Sequence, residues 1–281
     1  MQKKTQNTSA VTMDRHPRVL CVTSGKGGVG KTNVVINLAF HLAKKNKKVL
    51  VLDADLSLAN VDVLLGLTPR FNLHHVFQGE KSLADILISG PGGMLILPAS
   101  SGILELSELN EDQKLFFLAE METLNKKIDI LLIDTAAGIN NNVIYFVLAA
   151  SERIILLSPE PTSLTDAYAL IKVLSTRYNV KKIRILVNGA RSEREAVAVF
   201  KQLAGVTDRF LDSLSMDYLG YIPHDEQLPQ AVRRQRLVTE LYPNATSSLS
   251  FARLSERILE EEEKFSLDGN IKFFWRELVN F

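Results

Sequence analysis

The apolar residues of this chain fall into short runs, and these runs alternate with longer segments in which apolar and polar positions follow a helical period. The runs are rich in valine, isoleucine and leucine and are apolar at nearly every position, as expected of strands buried on both faces. The predicted strands span residues 18–23, 49–52, 94–97, 128–133, 153–157, 183–187 and 218–222. The clearest predicted helices span residues 33–42, 110–127, 164–178, 193–203 and 245–263. The alternation predicts a doubly wound α/β fold, with a mainly parallel sheet and helices on both faces.

Polar clusters follow most of the predicted strands. In a doubly wound fold the ligand lies beyond the carboxyl ends of the strands, so these clusters are the candidate site. They occupy residues 24–32, 53–62, 134–140, 158–162, 188–191 and 223–226. We therefore expect the chemistry of the protein at this one edge of the sheet.

The first cluster has the form of a phosphate-binding loop. Residues 23–32 read TSGKGGVGKT and fit the pattern G-x-x-x-x-G-K-[ST] between a predicted strand and a predicted helix. Glycines allow successive backbone N–H groups to turn inward around phosphate oxygens, and the helix N-terminus adds the positive end of its dipole. Lys31 can reach the β- and γ-phosphates, and the Thr32 hydroxyl can bind magnesium. The predicted nucleoside triphosphate site consists of Gly25, Lys26, Gly27, Gly28, Val29, Gly30, Lys31, Thr32 and Asn33.

Two further clusters supply carboxylates. Asp53 and Asp55 follow the second predicted strand, and Asp134 closes the apolar run at residues 130–133. Carboxylates in these positions suit Mg²⁺, usually through water, because magnesium gives up its hydration shell reluctantly. Turns rich in Asp and Asn also follow strands for structural reasons alone, so both interpretations of Asp53 and Asp55 stay open.

Composition narrows the class of protein. The 281 residues carry a formal net charge of +1, which offers no bulk attraction to nucleic acid, and we expect no direct nucleic-acid binding. The single cysteine, Cys21, rules out an intrachain disulfide and fits a reducing cytoplasm. Residues 1–16 are polar, without the apolar core of a secretory signal, and no later stretch reaches the length of a membrane span. We expect a cytoplasmic protein.

A second lysine in the loop, Lys26, is not needed for phosphate binding and is open to interpretation as a solvated surface charge. Its position resembles the signature lysine of the deviant Walker A ATPases of the MinD/ParA class. In that class the lysine reaches across a dimer interface to the partner's phosphates. The resemblance implies an ATP-dependent homodimer with ATP and Mg²⁺ as cofactors.

The same resemblance implies roles for individual residues. Asp55 and Lys26 would be catalytic, with Asp55 orienting the attacking water. Magnesium would be held by Thr32 and Asp134, with Asp53 in its outer shell. Three residues after later strands would contact adenine, although an asparagine at a strand end is often only a turn residue. They are Asn188, Pro223 and Asp225.

Four longer stretches, residues 54–67, 160–172, 206–212 and 273–279, resemble the FleN/FlhG family of flagellar number regulators. That resemblance implies slow Mg²⁺-dependent ATP hydrolysis and an antiactivator of the flagellar master transcription activator, an enhancer-binding ATPase of the FleQ type. Residues 1–17 lack the short activating helix of one branch, so stimulation by a partner GTPase is not implied.

Two other functions are alternatives for a chain with these motifs. The first is a MinD/ParA-like positioning ATPase that acts through membrane or DNA. The near-neutral net charge counts against DNA, and the small basic cluster of Arg233, Arg234 and Arg236 is better explained as a solvated helix face. The second, an iron–sulfur carrier on the same fold, needs cysteines that Cys21 alone cannot supply.

We predict a flexible N-terminal tail at residues 1–17, an ATPase domain at 18–265 and an amphipathic segment at 266–281. Five apolar side chains of this last segment form one stripe of a helix, and they are Ile271, Phe274, Trp275, Leu278 and Phe281. Such a helix can lie in a membrane interface, which would place the protein transiently at the inner face of the cell membrane. Packing on its own domain stays the alternative, because about three turns are too few for a stable isolated helix.

Overall fold

The structure is a computed structural model that describes residues 17–55, 60–99, 110–124, 127–211 and 214–265. The predicted stripe in the C-terminal segment and residues 1–16 of the predicted N-terminal tail lie outside the described residues. The domain boundaries predicted at these two ends therefore stay predictions.

One sheet forms the centre of the described chain. Its strands are β1 (Arg18–Ser24), β2 (Val49–Ala54), β3 (Ile88–Ser89), β4 (Leu95–Leu97), β5 (Ile130–Ala137), β6 (Glu152–Leu157), β7 (Lys182–Ala190) and β8 (Ser215–Pro223). They lie in the order β3-β4-β2-β5-β1-β6-β7-β8. Every neighbouring pair is parallel except β3 and β4. The predicted doubly wound α/β fold is confirmed.

Helices cover both faces of the sheet. They are α1 (Lys31–Lys44), α2 (Val61–Leu64), α3 (Leu73–Phe77), α4 (Leu83–Ile86), α5 (Glu111–Leu124), α6 (Asn141–Ala149), α7 (Pro161–Tyr178), α8 (Glu193–Phe210), α9 (Gln227–Arg233), α10 (Val238–Leu241) and α11 (Thr246–Phe265), with a 3₁₀ turn at Pro91–Gly93. Successive side chains of β1 alternate between the two cores. Leu20 and Val22 pack with α1 and α11, whereas Val19 and Cys21 pack with α5 to α8.

Several elements were not predicted, among them helix α6 and strand β3. Helix α6 was not predicted, because its residues from Asn142 to Ala149 are all buried and a helix that is apolar all round shows no amphipathic period. Strand β3 has two residues, too few for a recognisable alternation, and it pairs antiparallel with β4. Tertiary packing, and not a local sequence pattern, therefore determines both elements.

Five of the predicted strands extend beyond their predicted ends, and for β2, β5 and β7 this corrects the position of a polar site residue. Asp53, Asp134 and Asn188 were expected after their strands but lie within β2, β5 and β7. The predictions ended each strand at its first polar residue, whereas the hydrogen bonds between parallel strands involve only backbone groups. Asp53 and Asp134 are consequently direct neighbours across the sheet.

Candidate functional site: a phosphate loop and its carboxylates

The loop between β1 and α1 has the backbone shape of an anion-binding cradle. Gly28 and Gly30 have positive φ angles, +77° and +94°, which glycine adopts without the steric cost of a Cβ. Gly30 is also the N-cap of α1, where the first N–H groups of a helix have no partner within the helix. The loop therefore delivers backbone donors and the positive end of a helix to one point, as an anion site requires.

Two glycines of the loop, Gly25 and Gly30, also allow close packing. A Cβ on Gly25 would lie 2.2 Å from the carbonyl oxygen of Asp166 in α7. A Cβ on Gly30 would lie 2.6 Å from the Asn188 side-chain nitrogen, which donates a hydrogen bond to the Val29 carbonyl at 2.8 Å. The loop thus packs against α7 on one side and β7 on the other. Asn188, which was predicted to contact adenine, stabilises the loop through its hydrogen bond with Val29.

The two lysines of the loop point to different places. Lys31 Nζ donates to Ser24 Oγ at 3.0 Å, and Ser24 Oγ donates to the Lys26 carbonyl at 2.7 Å. Burial lowers the pKa of the Lys31 ammonium, and the charges of Asp134 and Asp55 oppose that shift. Lys26 instead extends to the rim, where its ammonium contacts Glu160 and Thr162.

Asp53 is committed to the backbone that follows it. Its carboxylate accepts hydrogen bonds from the N–H groups of Asp55 at 3.2 Å, Asn60 at 2.9 Å and Val61 at 3.1 Å. Burial raises its pKa to about 6, although these three bonds lower it. Asp53 therefore fixes the backbone at Asp55, and the outer-shell metal role predicted for Asp53 stays a prediction.

Asp134 differs from Asp53 in its hydrogen bonding. It is buried, and its Oδ1 has no hydrogen-bond partner among the described residues. Burial and the neighbouring Asp53 raise its pKa to about 8, while a hydrogen bond with the Thr32 side chain and the charge of Lys31 lower it. A buried carboxylate oxygen left without a partner, beside a threonine hydroxyl at the phosphate loop, fits the oxygen ligand set of hydrated Mg²⁺.

The remaining predicted residues lie around this centre. Asp55 follows β2, half-buried, near enough to Lys31 for its charge to act on that ammonium. Asn33 lies in the first turn of α1, where its carbonyl accepts a hydrogen bond from the Asn37 side chain at 2.8 Å. Pro223 ends β8 beside Ala190.

Asp225 is engaged within the protein. Its Oδ2 accepts hydrogen bonds from Thr246 Oγ1 at 3.0 Å and from both the N–H and the hydroxyl of Ser247 at 2.9 Å, and its Oδ1 accepts from the Gln227 N–H at 2.9 Å. Burial raises the pKa of Asp225, but these hydrogen bonds outweigh it and bring the pKa below its ordinary value. Asp225 anchors the start of α11 to the end of β8.

A cleft of about 580 Å³ opens beside the loop. Its volume suits a nucleotide-sized ligand. It is lined by Lys26, Gly27, Gly28, Val29, Ser158, Pro159, Glu160, Asn188, Gly189, Arg191, Glu195 and His224. Glu160, Arg191 and His224 lie in the polar clusters that the sequence predicted as the candidate site, although no role was assigned to them individually. Glu195 lies outside those clusters and was not predicted.

The described helices include none that is both long enough and apolar enough to cross a membrane.

The chain is similar to several known proteins. A protein-family model described as an AAA domain matches residues 17–186. The antiactivator FleN of Pseudomonas aeruginosa is 44% identical over 265 residues, which cover 94% of this chain and 94% of that protein. This chain belongs to the FleN branch of the MinD/ParA ATPases.

Other relatives of the family agree. The flagellum site-determining protein YlxH of Helicobacter pylori is 32% identical, over 94% of this chain and 90% of that protein. The cell division ATPase MinD of Pyrococcus furiosus superposes with a TM-score of 0.71 at 26% identity, covering 86% of this chain and 98% of that one. The septum site-determining protein MinD of Pyrococcus horikoshii, solved in complex with Mg-ADP, gives a TM-score of 0.70 at 28% identity, covering 86% and 96%. The protein is an ATPase of this family, with ATP and Mg²⁺ as its cofactors.

Proposed function

We propose that this protein is an ATP-controlled antiactivator, which dimerises with ATP and then restrains an enhancer-binding transcription activator of the FleQ type, so that flagellar number is limited. The relative named antiactivator FleN, aligned over nearly the whole of both chains, supports this assignment. ATP hydrolysis would return the dimer to monomers and release the activator. Turnover then serves as a timer for the regulatory complex.

The observation that carries the proposal is the division of labour between the two lysines of the loop. Lys31 is turned inward on Ser24, beside Asp134, where it can serve the nucleotide of its own chain. Lys26 lies at the rim, with 34% of its side chain exposed. A cation at the rim of a nucleotide cleft can reach phosphates that a second copy of the chain presents.

The residues around the phosphate loop would perform different parts of the reaction. Mg²⁺, when bound, neutralises charge on the phosphates and draws them into position. Thr32 and Asp134 would hold it, Thr32 through its hydroxyl and Asp134 through the oxygen that has no partner in the described structure. Asp55 would orient the attacking water, and Asp53 would act indirectly by fixing the turn on which Asp55 lies. Phosphoryl transfer needs this positioning more than covalent chemistry.

The base would lie in the cleft beside β7 and β8. Asn188 would border it while holding the loop through Val29, and Pro223 would contribute backbone at the end of β8. Asp225 would act by anchoring that backbone to α11 rather than through a free carboxylate.

Peripheral membrane contact rests on the stripe in residues 266–281 and stays a prediction. Its natural test is pelleting of the full chain with liposomes of anionic and neutral lipid, with and without ATP. Pelleting that depends on ATP would favour the positioning ATPase as a second activity.

Dimerisation tests the proposal directly. We expect the wild-type protein to dimerise with Mg²⁺ and ATP in light-scattering chromatography, and Lys26→Ala to stay monomeric. A titration with fluorescent ATP must show that Lys26→Ala still binds nucleotide, since Lys31 and the loop backbone are unchanged. If Lys26→Ala dimerises as well as the wild type, the assignment of Lys26 to the partner's phosphates is wrong.

A further inference from the structure

Lys26 is held by its own chain. Its ammonium donates a hydrogen bond to the Glu160 carboxylate and another to Thr162 Oγ1 at 2.9 Å. Glu160 is the N-cap residue of α7, and Thr162 lies in the first turn of that helix. The Lys26 and Glu160 side chains are 34% and 62% exposed, so the contact lies at the surface. It also borders the nucleotide cleft.

The two sides of this contact are fixed relative to each other. Gly25 packs directly on the backbone of Asp166 in α7, too closely for any side chain at position 25. On the other side, the Ser163 hydroxyl accepts a hydrogen bond from the Ser158 N–H at 3.0 Å and closes the turn before α7. Pro161 at the first helical position restricts the backbone further. Lys26 is therefore presented with a rigid pair of acceptors.

This arrangement opposes the role proposed for Lys26. An ammonium that already has a carboxylate partner must give it up before it binds phosphate oxygens of a second copy. The Glu160 carboxylate, which also lines the cleft, adds repulsion toward any phosphate brought near it.

We propose that Glu160 and Thr162 are positioning residues that hold Lys26 on its own chain until a nucleotide-bound copy offers phosphates, and that they thereby weaken dimerisation at low protein and ATP concentration. The inference rests on the proposed function, because it requires ATP-dependent dimerisation through Lys26.

The size of the effect follows from the exposure of the contact. A partly exposed ion pair shifts an equilibrium by about 1.4- to 5-fold. Each dimer releases two such pairs, one from each copy, so removing the carboxylate charge should tighten the dimer by about 2- to 30-fold. The contact delays assembly and does not prevent it.

The test is the dimer dissociation constant at saturating Mg²⁺ and ATP, measured by sedimentation equilibrium on the full chain. Glu160→Gln should lower it by about 2- to 30-fold. Thr162→Val should lower it less, because the lost partner is neutral, and Thr162→Ser should match the wild type because it keeps the hydroxyl. Glu122→Gln, which removes an exposed carboxylate on α5 far from the loop in sequence, controls for net charge and should change nothing.

A second background separates the two proposals. In Lys26→Ala the dimer is lost if the proposed function holds, and adding Glu160→Gln should then restore nothing. If Lys26→Ala dimerises normally, the proposed function fails and the inference fails with it. If Lys26→Ala is monomeric but Glu160→Gln alone leaves the dissociation constant unchanged or raises it, only the inference is overturned. The advantage of Glu160→Gln should also shrink as salt is added, as screening requires.

Discussion

The two ends of the β-sheet both carry largely buried charged side chains, but among the described residues only the carboxyl end leaves a buried carboxylate oxygen without a hydrogen-bond partner. At the amino end Glu152 receives hydrogen bonds from Arg18 and, at 3.0 Å, from Arg184, and Arg18 also donates to the Ile258 carbonyl. At the carboxyl end Asp134 keeps an oxygen without a partner among the described residues. Charges that the protein satisfies hold β1, β6, β7 and α11 together. Charges that it leaves incomplete are available to a ligand.

Removing a partner at the amino end should give the largest effect. Glu152→Ala removes the carboxylate that the Arg18 and Arg184 guanidinium groups share, and with those side chains only 11% and 6% exposed the loss should cost about 3–5 kcal/mol of unfolding free energy. Urea denaturation without nucleotide measures this, and ATP binding by the folded fraction should be unchanged. A loss below about 1 kcal/mol would show that this end is not held by its charges.

Removing Asp55 at the carboxyl end should instead slow the reaction and leave the stability of the fold unchanged. Asp55→Ala should slow ATP hydrolysis by about 100-fold, the usual contribution of a group that positions and deprotonates water. The unfolding free energy and the affinity for ATP should stay near wild type, because Asp55 is half-exposed and follows the strand. Single-turnover phosphate release measures the rate, and unchanged turnover would remove Asp55 from the reaction.

The incomplete carboxylate should make the protein sensitive to pH. The pKa of Asp134 is raised to about 8 in the folded state, above its ordinary 3.8, so between these values the folded state holds a proton that the unfolded state has lost. Stability in EDTA should therefore fall as pH rises, by up to about 4 kcal/mol between about pH 5 and pH 8, because each pH unit over which the folded state holds one extra proton is worth about 1.4 kcal/mol. Asp134→Asn should flatten this slope and raise stability at pH 8. An unchanged slope in urea titrations would contradict the assignment.

A surface ion pair near the amino end supplies the smallest effect. Lys182 contacts Asp217 at 3.1 Å, with about half of each side chain exposed. Asp217→Asn should change the unfolding free energy by less than about 0.5 kcal/mol, because water and salt screen such a pair. The same urea titration, run on Asp217→Asn beside Glu152→Ala, checks that the two losses of stability differ because of the burial of the ion pairs and not because of charge alone.

Much of this arrangement was visible in the sequence, for physical reasons. The loop at residues 23–32 is a local pattern, and strands buried on both faces are apolar throughout, so each predicts its own structure. The strand-end rule then predicts that Asp55, Asn188 and the polar clusters lie at one edge of the sheet, whatever the order of the strands.

The rest depended on contacts between distant segments. Glu160 meets Lys26 across 134 positions of sequence, and only the pairing of β1 with β6 brings the two together. The difference between Asp53 and Asp134 could not be predicted from their strands, since both close an apolar run. It arises because the backbone N–H groups of Asp55, Asn60 and Val61 donate to Asp53, while Asp134 faces Thr32.

Binding of the transcription activator tests the central claim most directly. A purified FleQ-type activator from the same organism is immobilised, and its affinity for the wild-type protein is measured with Mg²⁺ and ATP, with ADP, and for Lys31→Ala with ATP. The account predicts tight binding only for the wild type with ATP, and inhibition of the activator's own ATPase under the same condition. Equal binding in all three states, or no binding with ATP, would contradict it.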